Sequence, residues 1–335
     1  MNAMNAGTTR RVHSRALGLA GRLGLCVGIA CASLLLSVVS RAAQPAAAPV
    51  PTPVIRPKTF ATPEKAAEAL ILAAERFDIP AMSEIVGTDG MDLVKSEDPV
   101  QDKNRATNFA ALARQRTRVV RDSTNTKVAY LVIGDDEWPS PVPIVEKGGK
   151  WHFDSAAGRQ EILYRRIGEN ELNAIEMCRG YVEAQKEYAS ERHNGAHVNQ
   201  YAQRTISTPG KQDGLAWRAA DSTWQGPVGE AVAEAIEKGY TGKSSPYNGY
   251  YFKVLKKQGP YAPMGEMDFV VQGMMIGGFA LVAAPADYAV TGVKTFIVSH
   301  DGVVYEKDLG PETVDLFRAM ERFDPDPTWS PVVSP

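Results

Sequence analysis

The sequence predicts an α+β protein of two domains, each with helices followed by antiparallel strands. In both halves of the chain, apolar residues at helical spacing precede short apolar runs of strand type. Two tight-turn signals, Gly148-Gly149 and Asp301-Gly302, each lie between two such runs, where they indicate hairpins. Helices and hairpins that are segregated in this way are typical of the α+β class.

The first 43 residues have the three parts of a secretory signal peptide. Several arginines precede an apolar run from Leu23 to Val39, and the small residues of Ser40-Arg-Ala-Ala43 follow it. We therefore assign residues 1–43 to a signal peptide and expect a periplasmic or secreted protein. The alternative is an uncleaved leader that anchors the protein in the inner membrane, since the run approaches the ~20 apolar residues that a span needs. Contact with a membrane is expected only through such a leader.

The composition is that of an ordinary globular protein. The chain has 335 residues, 44% of them hydrophobic, and a formal net charge of −2. A nucleic-acid partner is not expected, because a phosphate-binding surface normally shows as a basic excess. Residues 44–59 are rich in Ala and Pro and are interpreted as an extended tether. Removal of the leader leaves Cys178 as the one cysteine, and its apolar neighbours at helical spacing predict a buried side chain.

The first domain is assigned to residues 60–160. Its first helix begins at Thr62-Pro63, where Thr62 can cap it and Pro63 suits its first turn. Asp78 ends this helix, a short helix follows over Pro80–Val86, and a third runs from about Asp102 to Arg116. Strands are predicted at Lys127–Ile133, Val142–Val145 and Lys150–Phe153, and the last two form the hairpin at Gly148-Gly149.

The second domain is assigned to residues 161–330. A long amphipathic helix is predicted from Glu161 to Tyr188, with a break at Gly168. A polar, loop-rich stretch then extends to about Gly214. A short helix over Gly226–Lys238, a strand at Gly249–Leu255 and a β-meander around the structural turn Asp301-Gly302 complete the domain.

The chain resembles the bacterial family DUF2950, whose members are exported proteins without an established activity. The resemblance extends from Phe60 to about Asp324. The stretches that carry it are Ser96-Glu-Asp-Pro-Val, Gly249-Tyr-Tyr-Phe-Lys-Val-Leu, Gln258-Gly-Pro, Met275-Ile-Gly-Gly-Phe-Ala-Leu-Val-Ala-Ala-Pro, Gly292-Val-Lys-Thr-Phe-Ile-Val and His300-Asp-Gly-Val-Val-Tyr-Glu-Lys-Asp-Leu-Gly.

Two weaker resemblances concern the fold. The region Pro63–Asp154 looks like the NTF2-like cone, with a Gly-turn hairpin that carries Trp151 and Phe153. The stretches Tyr181–Tyr188, Gly249–Phe252, Ala284–Tyr288 and Thr291–Phe296 look like the globular domain of a type II secretion pseudopilin. A pilin, however, begins with an apolar membrane helix, and charges such as Glu169, Glu171 and Glu176 would be costly in a bilayer. The likeness therefore implies the fold without ordinary filament assembly.

Two histidine-containing patterns are interpreted as structural. Ser299-His300-Asp301 has the residue types of a catalytic triad, but neighbours on a strand point to opposite faces, so the motif is read as a strand that enters a turn. His193 and His197 have a spacing that suits a metal on a helix, which Asn194-Gly195 disfavours. We predict no catalytic residues, no metal site and no cofactor.

The interior of the NTF2-like domain is the best candidate for a ligand pocket. Cones of this kind often enclose one, and several aromatic or ionisable residues fall on or near the strands that would line it: Tyr130, Trp138, Trp151, His152 and Asp154. The competing interpretation is that the aromatic rings simply fill the cone.

The expected function is therefore that of a non-enzymatic binding or assembly module of the bacterial periplasm or cell envelope. Its partner would be an unknown envelope protein or a small ligand. One alternative is a small-ligand carrier or an enzyme that uses the cone, with His152 or Asp154 as the acid or base. A third is an accessory of a secretion or pilus system.

Overall fold

Blocks of helices and blocks of strands follow one another along the chain, which confirms the α+β class. The computed structural model describes residues 56–96, 98–229 and 246–333, and all of them belong to one compact unit. The predicted signal peptide, residues 1–43, and the predicted tether up to residue 55 lie outside the described residues.

Four helices open the described chain: α1 (Pro63–Glu75), α2 (Ile79–Val86), α3 (Met91–Val94) and α4 (Pro99–Gln115), with a 3-10 turn at Thr88–Gly90 before α3. The predicted cap of α1 is confirmed, because the Thr62 hydroxyl accepts a hydrogen bond from the backbone N–H of Lys65 at 3.3 Å. Helix α4 begins earlier than predicted. The Asp98 carboxylate caps it by accepting the N–H groups of Val100 and Gln101, both at 3.0 Å.

The first sheet is antiparallel, in the order β1-β2-β4-β5, and β3 also pairs with β2. Its strands are β1 (Thr117–Arg121), β2 (Val128–Ile133), β3 (Trp138–Pro139), β4 (Ile144–Lys147) and β5 (Lys150–Phe153). The predicted hairpin is confirmed, since Gly148 and Gly149 join β4 to β5 with φ angles of 61° and 72°. Buried side chains of α1, α2 and α4 pack on this sheet around Leu131, Ile144 and Phe153 and form the first core.

Helix α5 (Ser155–Tyr188) is continuous over 34 residues, so the predicted break at Gly168 is wrong. A helix of this length spans about 50 Å. Its start at Ser155 follows from the cap supplied by Asp154, whose carboxylate accepts the N–H of Ala157 at 3.0 Å. A helical glycine costs only about 1 kcal/mol relative to alanine, and packing at both ends of α5 outweighs that cost. The boundary predicted at residues 160 and 161 lies inside this helix.

The stretch up to about Gly214 is mostly irregular, as predicted, and contributes one short strand to a small sheet that continues beyond it. Strand β6 (Arg204–Ile206) is parallel to β7 (Gly214–Arg218), which is antiparallel to β8 (Trp224–Gln225). Of the predicted helix Gly226–Lys238, residues 226–229 are not helical and residues 230–238 lie outside the described residues.

The second sheet has five antiparallel strands in the order β17-β16-β15-β14-β9. They are β9 (Tyr250–Leu255), β14 (Ala280–Pro285), β15 (Lys294–Ser299), β16 (Val304–Asp308) and β17 (Ser330–Pro331). Between β9 and β14 the chain forms two short pairs, β10 (Lys257–Gln258) with β11 (Met267–Asp268) and β12 (Val270–Val271) with β13 (Met274–Met275). The meander and the turn at Asp301-Gly302 are confirmed, with Gly302 at φ 80° between β15 and β16.

Helix α5 contacts β14, β15 and β16, and helix α6 (Thr313–Ala319) contacts β14. The second core lies around these contacts. It includes Cys178, which is fully buried as predicted, and Phe296.

One carboxylate connects α5 to the beginning of β15. An oxygen of Glu171 accepts the backbone N–H groups of Val293 and Lys294, both at 2.9 Å. Beside it, the hydroxyl of the buried Tyr250 donates to the carbonyl of Lys294 at 2.8 Å. Desolvation, followed by the negative charge of Glu171, raises the pKa of Tyr250 and keeps the phenol neutral. Gly292 lies against this ring, so the Gly-Val-Lys-Thr-Phe stretch specifies packing.

Candidate functional site

The strands of the first sheet separate the residues predicted to line a pocket. Trp151 is buried towards the helices, whereas His152, the next residue on β5, faces the other side of the sheet. The register pairs His152 with Val145, and Val145 with Val128, so these side chains share one face. Tyr130, two residues beyond Val128, lies on that same face. The structure thus places Tyr130 and His152 on one side and Trp151 on the other.

The other two predicted residues have structural contacts of their own. Trp138 is 43% exposed on β3, and the guanidinium of Arg165 lies 5.3 Å from the centre of its ring. Asp154 is the cap of α5, so its carboxylate is hydrogen-bonded to the backbone of that helix. The five predicted residues are therefore not brought together into one pocket.

An apolar pocket does lie in the first core, between the helices and the end of β5. It holds about 180 Å³ and is open on one side. Aliphatic and aromatic side chains from four helices, from β5 and from the segment before β4 form its walls: Leu70, Ala74, Met82, Val86, Leu93, Val94, Ala106, Phe109, Val142 and Phe153. A mostly apolar concavity with a few polar groups at its border is the usual form of a small-molecule site.

Two charged residues of α4 complete the lining, Asp102 and Arg105. Asp102 is only 6% exposed, and its two oxygens accept the N–H and the hydroxyl of Ser96 at 2.8 Å and 2.7 Å. These hydrogen bonds hold the pKa of the Asp102 carboxyl below its ordinary value. Arg105 is exposed and donates to the side-chain oxygen of Gln101 at 3.2 Å.

A polar groove lies next to the apolar pocket. Leu93 and Arg105 line both concavities and therefore stand between them. The groove is formed further by the first turns of α5, with Arg159, Gln160 and Arg166 among its lining residues. We call the pocket and this groove together the α4/α5 site.

The arginines of the groove differ in their partners. Arg159 holds Asp92 through two hydrogen bonds, at 2.8 Å and 3.0 Å, and also contacts the carbonyl of Asp89. Arg166 is exposed and has no hydrogen bond or ion pair with any residue of the ranges 56–96, 98–229 and 246–333. It is therefore available to a ligand.

Sequence reasoning missed the α4/α5 site for a physical reason. Charged residues at helical spacing, such as Asp102 and Arg105, have the pattern of an ordinary solvated face. Helix α3, which supplies Leu93 and Val94, has only four residues and no periodic pattern. The signal that was available is the apolar pair Ala106 and Phe109 on α4, at a spacing of three residues.

The Ser299-His300-Asp301 motif is part of a turn, as predicted. The buried Ser299 hydroxyl donates to the Asp301 carboxylate at 2.9 Å, which ties the end of β15 to the turn. His300 contacts Phe269 and Phe279 edge-on.

The two histidines of the possible metal pattern, His193 and His197, lie in different environments. His193 is buried and stacks on Tyr188 with ring centres 3.9 Å apart, while His197 is exposed. Within the described ranges no group of three or more His, Cys, Asp or Glu is placed to hold a metal ion. No described helix is both long and apolar enough to cross a membrane.

Comparison with known proteins identifies a family. The model of a family described as "Protein of unknown function (DUF2950)" matches residues 57–332, which is most of the chain. No curated protein and no solved structure is significantly similar to it. The likenesses to the NTF2-like cone and to the pseudopilin domain therefore remain predictions.

Proposed function

This chain belongs to the DUF2950 family of proteins of unknown function, and from that premise we propose that it is an exported, non-enzymatic binding module of the bacterial periplasm or cell envelope. Its binding site is the apolar pocket of the α4/α5 site. The proposal combines the expected binding module with the alternative of a small-ligand carrier, because the module would bind a small ligand in its N-terminal half.

The observation that carries the proposal is the pocket itself. Its volume of about 180 Å³ compares with the roughly 150 Å³ of an engineered apolar cavity that binds benzene. Ten of its lining side chains are hydrophobic, so a small apolar molecule would gain from leaving water there. His152 and Asp154 do not line the pocket, which disfavours the variant of the proposal in which they act as acid or base.

Binding is tested with 1-octanol as a neutral probe, by isothermal titration calorimetry on the purified protein. Replacement of the half-buried Ala106 by Phe places an aromatic ring in the pocket and is expected to abolish binding. Ala111, which is exposed on the same helix and lines no wall of the pocket, offers the matched control Ala111→Phe. Octanol binding that survives Ala106→Phe in a folded protein would place the site elsewhere.

Export is supported by the signal-peptide pattern of residues 1–43. The test is fractionation of cells that produce the full chain or a variant without those residues. We expect the full chain to appear shortened in the periplasm or medium, and the variant to stay in the cytoplasm. An uncleaved full chain in the membrane fraction would favour the anchored alternative, and an uncleaved chain in the cytoplasm would contradict export.

A second candidate is an accessory of a secretion or pilus system. It is favoured by the packing of the long helix α5 on the antiparallel strands β14, β15 and β16, which is the arrangement that the pseudopilin likeness predicts. Co-purification from periplasmic extract with the components of such a system would support this candidate. Exchange of Leu172, which is 66% exposed on α5, for Asp should then weaken the association.

A further inference from the structure

We propose that the ligand of the α4/α5 site is a small amphiphile with an apolar tail and a single anionic head, of the class of short- and medium-chain carboxylates. The inference rests on the proposed binding function and names its ligand class. The tail would occupy the apolar pocket, and the head would lie at the arginines of the groove.

The shape of the site favours a molecule with two chemically different ends. The pocket is walled by aliphatic and aromatic groups, and the adjoining groove carries guanidinium groups. The two concavities meet at Leu93 and Arg105, so a molecule that extends from one into the other passes the Arg105 side chain. A wholly apolar ligand would leave the groove in water, and a wholly polar ligand would leave the pocket unfilled.

The charges of the site favour a negative head. Three guanidinium groups, those of Arg105, Arg159 and Arg166, line the site together with two carboxylates. Of the carboxylates, Asp92 is held by Arg159, and Asp102 is hydrogen-bonded by Ser96. One positive charge is therefore in excess.

The position of that excess charge matters for the head group. Arg166 has no partner among the described residues, whereas Arg105 donates a hydrogen bond to the neutral amide of Gln101 and is also attracted by the charge of Asp102. Both are exposed, so a carboxylate can reach them without breaking the pair of Arg159 with Asp92. An arginine presents several N–H donors in a plane, which suits a carboxylate. A cationic head would be repelled by the same groups.

The test compares octanoate, 1-octanol and octylammonium, three probes with the same tail, by isothermal titration calorimetry at low and high salt. We expect octanoate to bind about threefold to tenfold more tightly than octanol, as a solvent-exposed charge contact allows. Octylammonium should bind more weakly than either. Added salt should weaken the binding of octanoate and leave the binding of octanol unchanged, because salt screens only the charged head.

Two substitutions, Arg166→Gln and Arg105→Gln, locate the head, and a third controls for the loss of a positive charge. Arg166→Gln should remove most of the preference for octanoate over octanol while octanol affinity stays the same. Because Arg166 is exposed, the variant should fold normally. Arg192→Gln, a charge change at an exposed arginine of the segment that follows α5, is the matched control and should leave the preference intact.

The outcomes separate this inference from the proposed function. Equal binding of octanoate and octanol would overturn the anionic head and leave the binding function standing. Binding of no probe to the wild-type protein would overturn both. A preference for octanoate that persists in Arg166→Gln and in Arg105→Gln would show that the head lies elsewhere, which would also overturn the inference.

Discussion

Gly292 offers the sharpest test of how the second core is packed. A Cβ atom at this position would lie 2.2 Å from the Tyr250 hydroxyl oxygen and 2.7 Å from the ring carbon that bears it. The ring cannot simply turn away, because Tyr250 is 1% exposed and its hydroxyl is bound to the Lys294 carbonyl. Gly292→Ala therefore forces a shift in a closely packed region.

The expected cost can be worked out from these contacts. Overpacking of a core by one methyl group costs about 1–3 kcal/mol, and loss of the Tyr250 hydrogen bond adds about 1 kcal/mol. We expect Gly292→Ala to lower the free energy of unfolding by about 2–4 kcal/mol in urea denaturation followed by circular dichroism. The corresponding fall in Tm is roughly 3–7 °C for a chain of this size.

One control repeats the glycine-to-alanine exchange at another position, and a second changes Tyr250 itself. A Cβ at Gly168, inside α5, would meet nothing within 4 Å, so Gly168→Ala should stabilise the protein by up to about 1 kcal/mol. Tyr250→Phe removes the closest contact, and the double variant with Gly292→Ala should be more stable than the sum of the single effects predicts, by at least about 0.5 kcal/mol. A Gly292→Ala protein within about 0.5 kcal/mol of wild type, or strict additivity in the double variant, would refute the reasoning.

Three further predictions concern single side chains. Asp154→Ala should lower the free energy of unfolding by about 1 kcal/mol in thermal denaturation, because α5 loses its cap. Asp154→Ser should keep most of the stability, since serine can also cap a helix, and equal losses in the two variants would contradict the capping role. The Ser96 hydrogen bonds depress the pKa of Asp102 in the folded state, so their stabilisation is complete above the unfolded pKa of about 4 and is lost as the pH falls through the folded pKa. The stability difference between wild type and Asp102→Asn should therefore shrink in denaturation curves measured below about pH 4, and a difference that grows there would oppose this assignment. Burial raises the pKa of Cys178 to about 12, so a thiol reagent should label it only in denaturant when the two leader cysteines are replaced by Ser, and rapid labelling of the native protein would show the thiol to be accessible.

Local signals in the sequence are sufficient to predict the structure where one or two residues determine the backbone conformation. The Gly148-Gly149 hairpin, the turn at Asp301-Gly302 and the cap at Thr62 were predicted because positive φ angles and capping hydrogen bonds are properties of the residues themselves. The family was also identified in this way, from stretches that determine packing, such as the glycine against Tyr250.

The parts that were missed depend on distant partners. Strand β1 has the sequence Thr-Arg-Val-Val-Arg, with no alternation, and is a strand because β2 pairs with it. The break expected at Gly168 ignored the packing that holds both ends of α5. The α4/α5 site joins residues of α1 to those of α5, so no local pattern contains it. The sequence predicts the strands that carry Tyr130 and Trp151 but not the face of the sheet to which each side chain points. The two residues were therefore assigned to one pocket although they lie on opposite faces.

Helix α5 has a consequence for how the protein folds and evolves. At its first turn the Ser155 hydroxyl donates to the carbonyl of Val86 in the first core, and near its end Cys178 and Tyr181 are buried in the second. The helix is thus a structural component of both cores, and neither core is complete without the same covalent segment. We expect the two halves to unfold in one cooperative transition. Recombination between residues 160 and 161 would divide the shared helix, so we expect that the two halves cannot be exchanged as independent modules.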